Sequence, residues 1–338
     1  MAGGSIAVNP WPGWPLPARL AARPSQPRHR PGLQSLLPPQ MHVFVRDWLS
    51  ANNVLLKSRD GHVLVDSGYV THAPFTLELL RSGRGLSDAP LAKLVNTHCH
   101  SDHIGGNAAI RAAYGCPIEL PEAEAPLIER WDTKALLLDY ADQSADRFHV
   151  DAVLRPGSSH VWGDLEWRLH AASGHRSGAL VFHNAEHGIL ISGDALWRNG
   201  YGFVMPATLD ADALPAARDT LDLIAELDVK IVIPGHGEPF TDVAEALDRA
   251  YQRTRAFETD EVRVARHALK GLLAFTLLHR RRMPLADLPA YVDRVGIYRD
   301  INEAVLHLTP AALAAMLVAE LGKAGAVRVA YGELLPAM

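Results

Sequence analysis

Short apolar runs alternate with turn residues between residues 41 and 240, a pattern that predicts a domain of mixed strands and helices. Residues 54–57 and 62–66 are strand-like and flank Arg59-Asp60-Gly61, a sequence typical of a hairpin. Further strands are predicted at residues 91–97, 117–120, 179–183, 189–194 and 230–233, with a β meander over residues 153–172. Helices are predicted over residues 73–81, 108–114, 122–147 and 212–226.

The chain after residue 240 has a different, mainly helical pattern. Helices are predicted over residues 242–256 and 261–278. Thr309-Pro310 is a typical helix start, because Thr is a good N-cap and Pro is tolerated in the first turn. Residues 326–335 then suit a small terminal hairpin. Helices followed by a hairpin are loosely similar to a winged-helix module, so residues 241–338 are predicted to form a helical, winged-helix-like appendage.

Residues 1–40 differ from both regions. They are rich in Pro, contain Arg but no Asp or Glu, and show no periodicity. Such a segment buries too little apolar area to offset its loss of chain entropy. We expect a disordered tail, or an extension upstream of a natural start at Met41. An Arg-rich segment without acidic residues is also compatible with an organelle transit peptide.

Composition and charge narrow the class of protein. A hydrophobic fraction of 48% and a charged fraction of 21% are typical of a globular domain. The net charge of −5 argues against a dedicated nucleic-acid surface. The two cysteines, Cys99 and Cys116, provide no disulfide framework, so a cytoplasmic location is expected. No apolar run reaches about 18 residues, and no transmembrane helix is predicted.

Four potential metal ligands follow the strand over residues 91–97: His98, His100, Asp102 and His103. An ordinary helix or strand does not require this composition. Gly105-Gly106 comes next and allows a sharp turn into a helix. The cluster is therefore expected in a loop at the carboxyl end of a strand, where α/β folds usually carry their chemistry. Imidazole nitrogens and carboxylate oxygens are preferred zinc ligands.

Three later strands also end in a possible ligand. His175, Asp194 and His236 each stand in a Gly-flanked turn directly after an apolar strand, and Asp66 ends an earlier strand. One tetrahedral ion cannot use all these side chains, so the set indicates two ions. We assign His98, His100 and His175 to one ion, and Asp102, His103 and His236 to the other. Asp194 has two oxygens and can bridge them, together with a water molecule that the ions deprotonate.

These motifs resemble those of the metallo-β-lactamase superfamily. Asp66 stands in V-D-S-G, residues 97–103 are T-H-C-H-S-D-H, and G-H, G-D and P-G-H-G follow at residues 174–175, 193–194 and 234–237. The resemblance covers about residues 41–240. It implies an α+β fold class, an αββα sandwich with the metals at one edge between the sheets. It also implies that Asp66 supports the ligand loop from behind.

The branch of the superfamily depends on single positions. True β-lactamases generally lack the bridging Asp194, and diiron flavoproteins usually have Glu in place of His100. Hydroxyacylglutathione hydrolases and related thioesterases share the motifs, but residues 195–202 lack their usual basic and Cys-containing glutathione loop. Acyl-homoserine lactonases also fit. In that group a Tyr donates to the substrate carbonyl, and Tyr201 is the candidate here, with packing on the pocket wall as the alternative.

We therefore predict a dinuclear metallohydrolase with two zinc ions, or iron or manganese, whose bridging hydroxide cleaves a thioester, ester or lactone. Asp102, Asp194 and Tyr201 are the predicted catalytic residues, and residues 122–147 and 197–201 would shape the acyl pocket. The alternatives are a phosphodiesterase or ribonuclease, a mononuclear-iron enzyme similar to persulfide dioxygenases, and a non-catalytic metal-binding regulator. The expected partner is a small acyl substrate rather than nucleic acid or a membrane, with a homodimer as a further hypothesis.

Overall fold

A computed structural model describes residues 34–337 of the chain. Its first sheet has six strands, whose spatial order follows the chain: β1 Met41–Phe44, β2 Asn53–Leu56, β3 His62–Val65, β4 Leu91–Val95, β5 Ile118–Pro121 and β6 Ala152–Leu154. β1 to β3 pair antiparallel, and β3 to β6 pair in parallel. β6, expected to begin the meander, instead completes this sheet.

The second sheet has five strands: β7 Ser159–Trp162, β8 Leu165–Ala171, β9 Leu180–Asn184, β10 Ile189–Gly193 and β11 Ile231–Pro234. Their spatial order is β11-β10-β9-β8-β7, and only β10 and β11 pair in parallel. Val54 and Val95 of the first sheet share one buried core with Trp167, Phe182 and Ile233 of the second. The two sheets therefore pack face to face.

Helices cover the outer faces of both sheets. They are α1 Ala73–Arg81 with the 3₁₀ turn Val70–His72 before it, α2 Ser101–Ile104, α3 Asn107–Tyr114, α4 Ala125–Arg130, α5 Leu138–Ala141, α6 Ala213–Glu226 and α7 Val243–Glu258. Leu80 of α1 joins a core with Leu94 of the first sheet. Leu221 of α6 and Ala250 of α7 join another with Val232 of the second. The predicted αββα sandwich is confirmed.

The segment over residues 122–147 is less helical than its apolar spacing predicts, because only α4 and α5 are helical within it. Trp131, Leu137 and Asp142 have φ angles of 53°, 59° and 55°. Trp131 and Asp142 end α4 and α5 in this left-handed conformation, and Leu137 directly precedes α5. The apolar spacing instead reflects the burial of side chains such as Leu136 in a layer rich in turns.

The C-terminal region is mainly helical and contains a small three-stranded sheet, and its likeness to a winged helix stays a prediction. Its elements are α8 Glu261–Arg280, β12 Met283–Pro284, the 3₁₀ turn Leu285–Asp287, α9 Leu288–Arg294, α10 Gly296–Ile301, the π-helix Asn302–Leu306, α11 Pro310–Lys323, β13 Val327–Ala330 and β14 Glu333–Pro336. The strands pair antiparallel in the order β12-β14-β13, so the first strand contacts the last. Thr309 accepts a hydrogen bond from Ala312 N and is the N-cap that the sequence predicts.

The sandwich extends beyond residues 41–240 at both ends. Gln34 Nε2 donates to Met41 O over 2.7 Å, and Leu37 is buried in the core between the sheets. Residues 34–40, which we assigned to the leader, therefore pack on the sandwich, whereas residues 1–33 lie outside the described part of the chain. At the other end Ala246 of α7 packs in the layer outside the second sheet. The described sandwich thus includes α7.

Within residues 34–337, no single helix is both long and apolar enough to cross a membrane. The bent pair Gly296–Leu306 and Pro310–Lys323 meets the length and composition criteria together, with an angle of 96° between its halves. Leu313, Leu317 and Leu321 of this pair are buried in the core of the C-terminal region.

Candidate metal centre

The seven predicted ligands come together at one edge of the sandwich, where strands of both sheets end. Four of them follow β4 of the first sheet, and three follow β8, β10 and β11 of the second: His98, His100, Asp102 and His103, then His175, Asp194 and His236. Leu180 N donates to Thr97 O over 2.9 Å and joins the two sheets beside them. The sheet topology therefore assembles side chains that are far apart in the sequence.

His98, His100 and His175 form the first set of donors, the imidazole group. His100 Nδ1 lies 3.1 Å from His98 Nε2 and 2.8 Å from His175 Nε2, so three ring nitrogens converge. Burial lowers the pKa of all three imidazoles, and those of His98 and His100 fall well below the ordinary value. Neutral imidazole is the form that binds metals, so this group suits a cation.

Asp102, His103, Asp194 and His236 form the second set, the carboxylate group, with donor atoms within 4.8 Å of one another. His236 Nε2 lies 2.9 Å from Asp102 Oδ2. His103 Nε2 is buried and makes no hydrogen bond of good geometry within residues 34–337. A buried nitrogen in that state requires a partner, and the nitrogen and oxygen donors around it suit zinc, iron or manganese. The residues present therefore fit metal ions.

Asp194 lies between the two groups and turns one oxygen toward each. Its Oδ1 lies 3.4 Å from His103 Nε2, and its Oδ2 lies 3.3 Å from His175 Nε2. Burial favours the neutral acid, but the imidazoles of His236 and His103 hold the pKa of Asp194 well below its usual range. Trp197 Nε1 donates to Oδ1 over 3.1 Å. The carboxylate is therefore ionised and oriented as a bridging ligand requires.

Asp66 lies behind the carboxylate group, where the resemblance to the superfamily places it. Its Oδ2 lies 2.8 Å from His103 Nδ1 and accepts from Thr97 Oγ1 over 2.8 Å, while Oδ1 accepts from Thr97 N over 2.9 Å. Burial lowers the pKa of His103, but Asp66 and Asp194 outweigh it and hold that pKa well above the ordinary value. Asp66 has a φ of 57°, an unfavourable conformation that persists because these bonds fix its side chain.

Two further residues hold the ligand loops, and we did not predict them. Asn52 Nδ2 donates to Pro234 O over 2.9 Å and to Gly237 O over 2.7 Å, which fixes the turn that carries His236. Glu124 is buried, accepts from Cys99 N over 2.5 Å and binds the Arg176 guanidinium. It therefore links the first His loop to the loop of His175. Asn is common in turns, so the residue type of Asn52 carries no signal for this role.

An apolar pocket with a cavity of about 60 Å³ opens over both donor groups. Trp48 stacks on His236, with the ring centroids 5.1 Å apart. The other walls come from Leu137 and Gln143, from Trp197 and Phe203, and from Gly271, Leu272, Phe275 and Leu278 of α8. Leu137 and Gln143 lie in residues 122–147, and Trp197 and Phe203 lie in or beside residues 197–201, the two segments expected to shape the pocket.

The contribution of α8 was not predicted, because we placed no site residue after residue 240. Gly271 provided a signal, since Gly is unfavourable inside a helix without a packing or functional reason. Phe275 and Leu278 follow it at the spacing of one helix face. The C-terminal region is therefore part of the pocket wall.

The structure does not support Tyr201 as a donor to substrate. Its hydroxyl is buried and lies 2.8 Å from Thr254 Oγ1 of α7, within the core outside the second sheet. Tyr201 is also absent from the residues that line the pocket. Phe203, two residues later, faces the pocket instead. The chain turns between these positions, and periodicity in a loop cannot predict such a turn.

Comparison with known proteins identifies the family. The model of the Metallo-beta-lactamase superfamily matches residues 46–236, which is more than half of the chain. The chain belongs to this superfamily. Relatives of the chain carry hydrolase or thioesterase names, and the two donor groups of this chain suit metal ions.

Three relatives illustrate the range of similarity. A hydroxyacylglutathione hydrolase of Bdellovibrio bacteriovorus is 28% identical over 36% of this chain and 40% of its own length. The acyl-coenzyme A thioesterase MBLAC2 of Homo sapiens is 25% identical over 56% of this chain and 74% of its own. The probable metallo-hydrolase YqgX of Bacillus subtilis is 27% identical over 60% and 91%. The match to the first of these spans less than half of that protein.

Solved structures agree on the fold. A metallo-beta-lactamase family protein from Thermus thermophilus aligns with 88% of this chain and 99% of its own, at a TM-score of 0.50 and 19% identity. The FEZ-1 metallo-beta-lactamase of Legionella gormanii aligns with 65% of this chain and 92% of its own, at a TM-score of 0.52 and 18% identity. At such identities the likeness concerns the fold alone.

Proposed function

We propose that this chain is a dinuclear metallohydrolase of acyl thioesters, with esters and lactones as related substrates. The observation that supports this most directly is the pair of donor groups that share the two oxygens of Asp194 beneath an apolar pocket. Two relatives named hydroxyacylglutathione hydrolase and acyl-coenzyme A thioesterase favour thioesters within this class. Two zinc ions are the proposed cofactors, with iron or manganese as alternatives for the same donors.

Two divalent ions bound to these groups would lower the pKa of a water molecule and polarise the substrate carbonyl. The carboxylates of Asp102 and Asp194 would hold these ions and would accept a proton or hydrogen bond from a water molecule at the base of the pocket. Asp66 fixes the ring of His103, and Phe203 O fixes the ring of His175 over 2.6 Å. The donors are therefore oriented before substrate binds, which reduces the reorganisation needed in the transition state.

The pocket walls supply the binding of the acyl group. Trp48, Phe203 and Phe275 present aromatic faces, and Leu272 adds an aliphatic one. These side chains exclude water around the reacting carbonyl, which strengthens the electrostatic interactions there. Substrates with an apolar acyl group are therefore expected to bind better than acetyl esters.

The test combines metal analysis with a substrate screen. The purified chain is expected to contain metal, to hydrolyse thioesters, and to lose this activity with a chelator and regain it with zinc. His100→Ala should abolish turnover while circular dichroism stays unchanged. His187→Ala is the matched control, because its side chain is 40% exposed at a surface turn. A chain that purifies without metal, or that cleaves only phosphodiesters, would refute the proposal.

A further inference from the structure

A second cavity, of about 590 Å³, lies along a different face of α8 from the apolar pocket. It is lined by the N-terminal half of this helix, whereas the apolar pocket is lined by the C-terminal half. Its walls come from α7 and α8, and Glu320 of α11 closes one side. Small-molecule sites usually have volumes of about 300–1,000 Å³, so this cavity is large enough to hold a ligand. None of its lining residues is one of the seven candidate metal ligands.

The lining of this cavity is strongly basic. Five cationic side chains face it: Arg249, Arg253, Arg263, Arg266 and Lys270. Only two carboxylates, Asp260 and Glu320, line it with them, which leaves an excess of three positive charges. The whole chain has a net charge of −5, so this local excess runs against the overall composition. Basic residues concentrated in a concave site attract anions.

The neighbouring acids do not remove this excess. Glu320 binds both Arg266 and Lys270, so one carboxylate serves two cations. Asp242 lies 3.2 Å from Arg249 but also pairs with Arg198 at 3.0 Å. Asp242 and Arg198 together have no net charge, so they leave the excess unchanged. An anionic ligand would therefore complete the charge balance of the cavity.

His267 reports the positive potential inside the cavity, beside the buried Arg253. Arg253 donates to the carbonyl oxygens of Tyr201 over 3.0 Å and Asn199 over 2.6 Å, and burial lowers its pKa to about 10. Burial and then the charges of Arg253 and Lys270 hold the pKa of His267 well below its ordinary value. A cavity that opposes one more positive charge favours a negative ligand.

We propose that this cavity binds the phosphate groups of a small-molecule ligand that carries a nucleoside diphosphate. Arginine forks bind phosphate oxygens in pairs, and several arginines around one concave site suit two linked phosphates better than one carboxylate. The volume of the cavity leaves room for the nucleoside as well.

The cavity shares two elements with the candidate metal centre. The loop that Arg253 binds lies between Trp197 and Phe203, which both line the apolar pocket. α8 carries Arg266 on one face and Phe275 on another, about 14 Å apart along the helix at 1.5 Å per residue. If the proposed thioesterase activity holds, on which this part rests, the phosphates can belong to the leaving group of a long thioester. Otherwise they belong to a separate nucleotide.

Calorimetric titration with ADP at low salt tests the site directly. The wild-type chain should bind ADP but not adenosine, and binding should weaken as salt screens the charges. Arg263→Gln should raise the Kd by roughly tenfold, because a charge-assisted hydrogen bond is lost. Arg282→Gln is the matched control, since Arg282 is an exposed arginine that lies outside the cavity. Absence of ADP binding, or an equal Kd in Arg263→Gln, would overturn the proposal.

Two further variants exclude trivial explanations. Glu320→Gln removes one of the two acids and should tighten ADP binding several-fold, a gain that misfolding cannot produce. Asp194→Asn changes the metal centre and should leave ADP binding intact. If ADP binding is lost in Asp194→Asn but kept in Arg263→Gln, the nucleotide binds at the metal centre and the proposal is wrong.

Kinetics then identify the source of the phosphates. A coenzyme A thioester contains a nucleotide in its leaving group, whereas the N-acetylcysteamine thioester of the same acid contains none. If the cavity holds the leaving group, Arg263→Gln raises KM for the first substrate about tenfold and leaves the second unchanged. If a separate nucleotide binds, both KM values stay the same while ADP still binds. If neither thioester is cleaved, the proposed function fails and the ADP titration still decides about the cavity.

Discussion

The two donor groups of the metal centre share Asp194 but differ in charge. The imidazole group of His98, His100 and His175 is neutral by itself. The carboxylate group contains Asp102 and Asp194, so it carries charge that compensates a divalent cation. The imidazole group depends on Asp194 Oδ2 for the same compensation. We therefore expect the carboxylate group to bind its ion more tightly and the imidazole group to lose its ion first.

The groups also differ in how their histidines are held. His103 of the carboxylate group is held by the charged Asp66, whereas His175 of the imidazole group is held by a backbone carbonyl. A carboxylate behind a ligating histidine raises its basicity and fixes its tautomer. The charged partner of His103 therefore adds to the tighter metal binding that we expect of the carboxylate group. Each prediction below changes the charge of one group, changes the partner of one histidine, or tests the pocket above them.

Asp194→Ala should have the largest effect, because it removes both the oxygen near the carboxylate group and the oxygen near the imidazole group. Loss of a residue that only hydrogen-bonds to a metal ligand typically costs about 10–100-fold. Loss of Asp194, a proposed ligand itself, is expected to lower activity by more than about 100-fold. Metal analysis should find at most one ion per chain. Asp60→Asn, at an exposed hairpin, is the control. Two retained ions with normal turnover would show that Asp194 is not a bridge.

His98→Ala and His103→Ala separate the two groups. His98→Ala should retain about one ion in the carboxylate group, whereas His103→Ala should retain less, because the weaker group remains. Stepwise chelation of the wild-type chain should likewise remove one ion more easily than the other. These outcomes are measured as metal per chain after dialysis. The opposite order of retention would refute the proposed difference in affinity.

Asp66→Asn should have an intermediate effect. It removes the charge behind His103 but keeps the backbone, since Asn tolerates a positive φ. Metal affinity of the carboxylate group is expected to fall about 10–100-fold, as for other outer partners of ligating histidines. Competition with a fluorescent chelator measures this change. An equal fall for both ions would show that Asp66 supports the whole loop rather than one group.

Phe275→Ala should affect binding without affecting the metals. Phe275 lines the apolar pocket, and its ring packs edge-on against Tyr69. KM for a thioester with a long acyl group should rise roughly tenfold, because one well-placed aromatic contact is worth about 1–2 kcal/mol. Metal content should stay at the wild-type value. A fall in metal content instead would mean that α8 supports the ligands.

Tyr201→Phe should have the smallest effect. It removes one buried hydrogen bond to Thr254, which costs about 1 kcal/mol of unfolding free energy. Turnover should stay within about twofold of wild type, since the hydroxyl does not reach the pocket. A large fall in kcat with full metal content would restore the catalytic role that we predicted from the sequence.

The sequence by itself determined the candidate ligands and the class of fold. His98, His100, Asp102 and His103 lie within one loop, so their spacing reveals the chemistry without any tertiary contact. The strands that lead to the later ligands are short and apolar, and their turns are marked by Gly. Local patterns of this kind depend on neighbours in the chain, and they predicted the helix bounds of α1 and the N-cap Thr309 as well.

Only the tertiary structure decided which groups face each other. It placed one oxygen of Asp194 toward each donor group, turned Tyr201 into the core, and brought Phe275 of α8 over the ligands. It also divided residues 122–147 at Trp131, Leu137 and Asp142. The reason is physical: loop direction and packing between distant segments depend on contacts that no local spacing contains. The candidate ligand set and part of the pocket lining were therefore predictable, whereas the contribution of α8 and the second cavity were not.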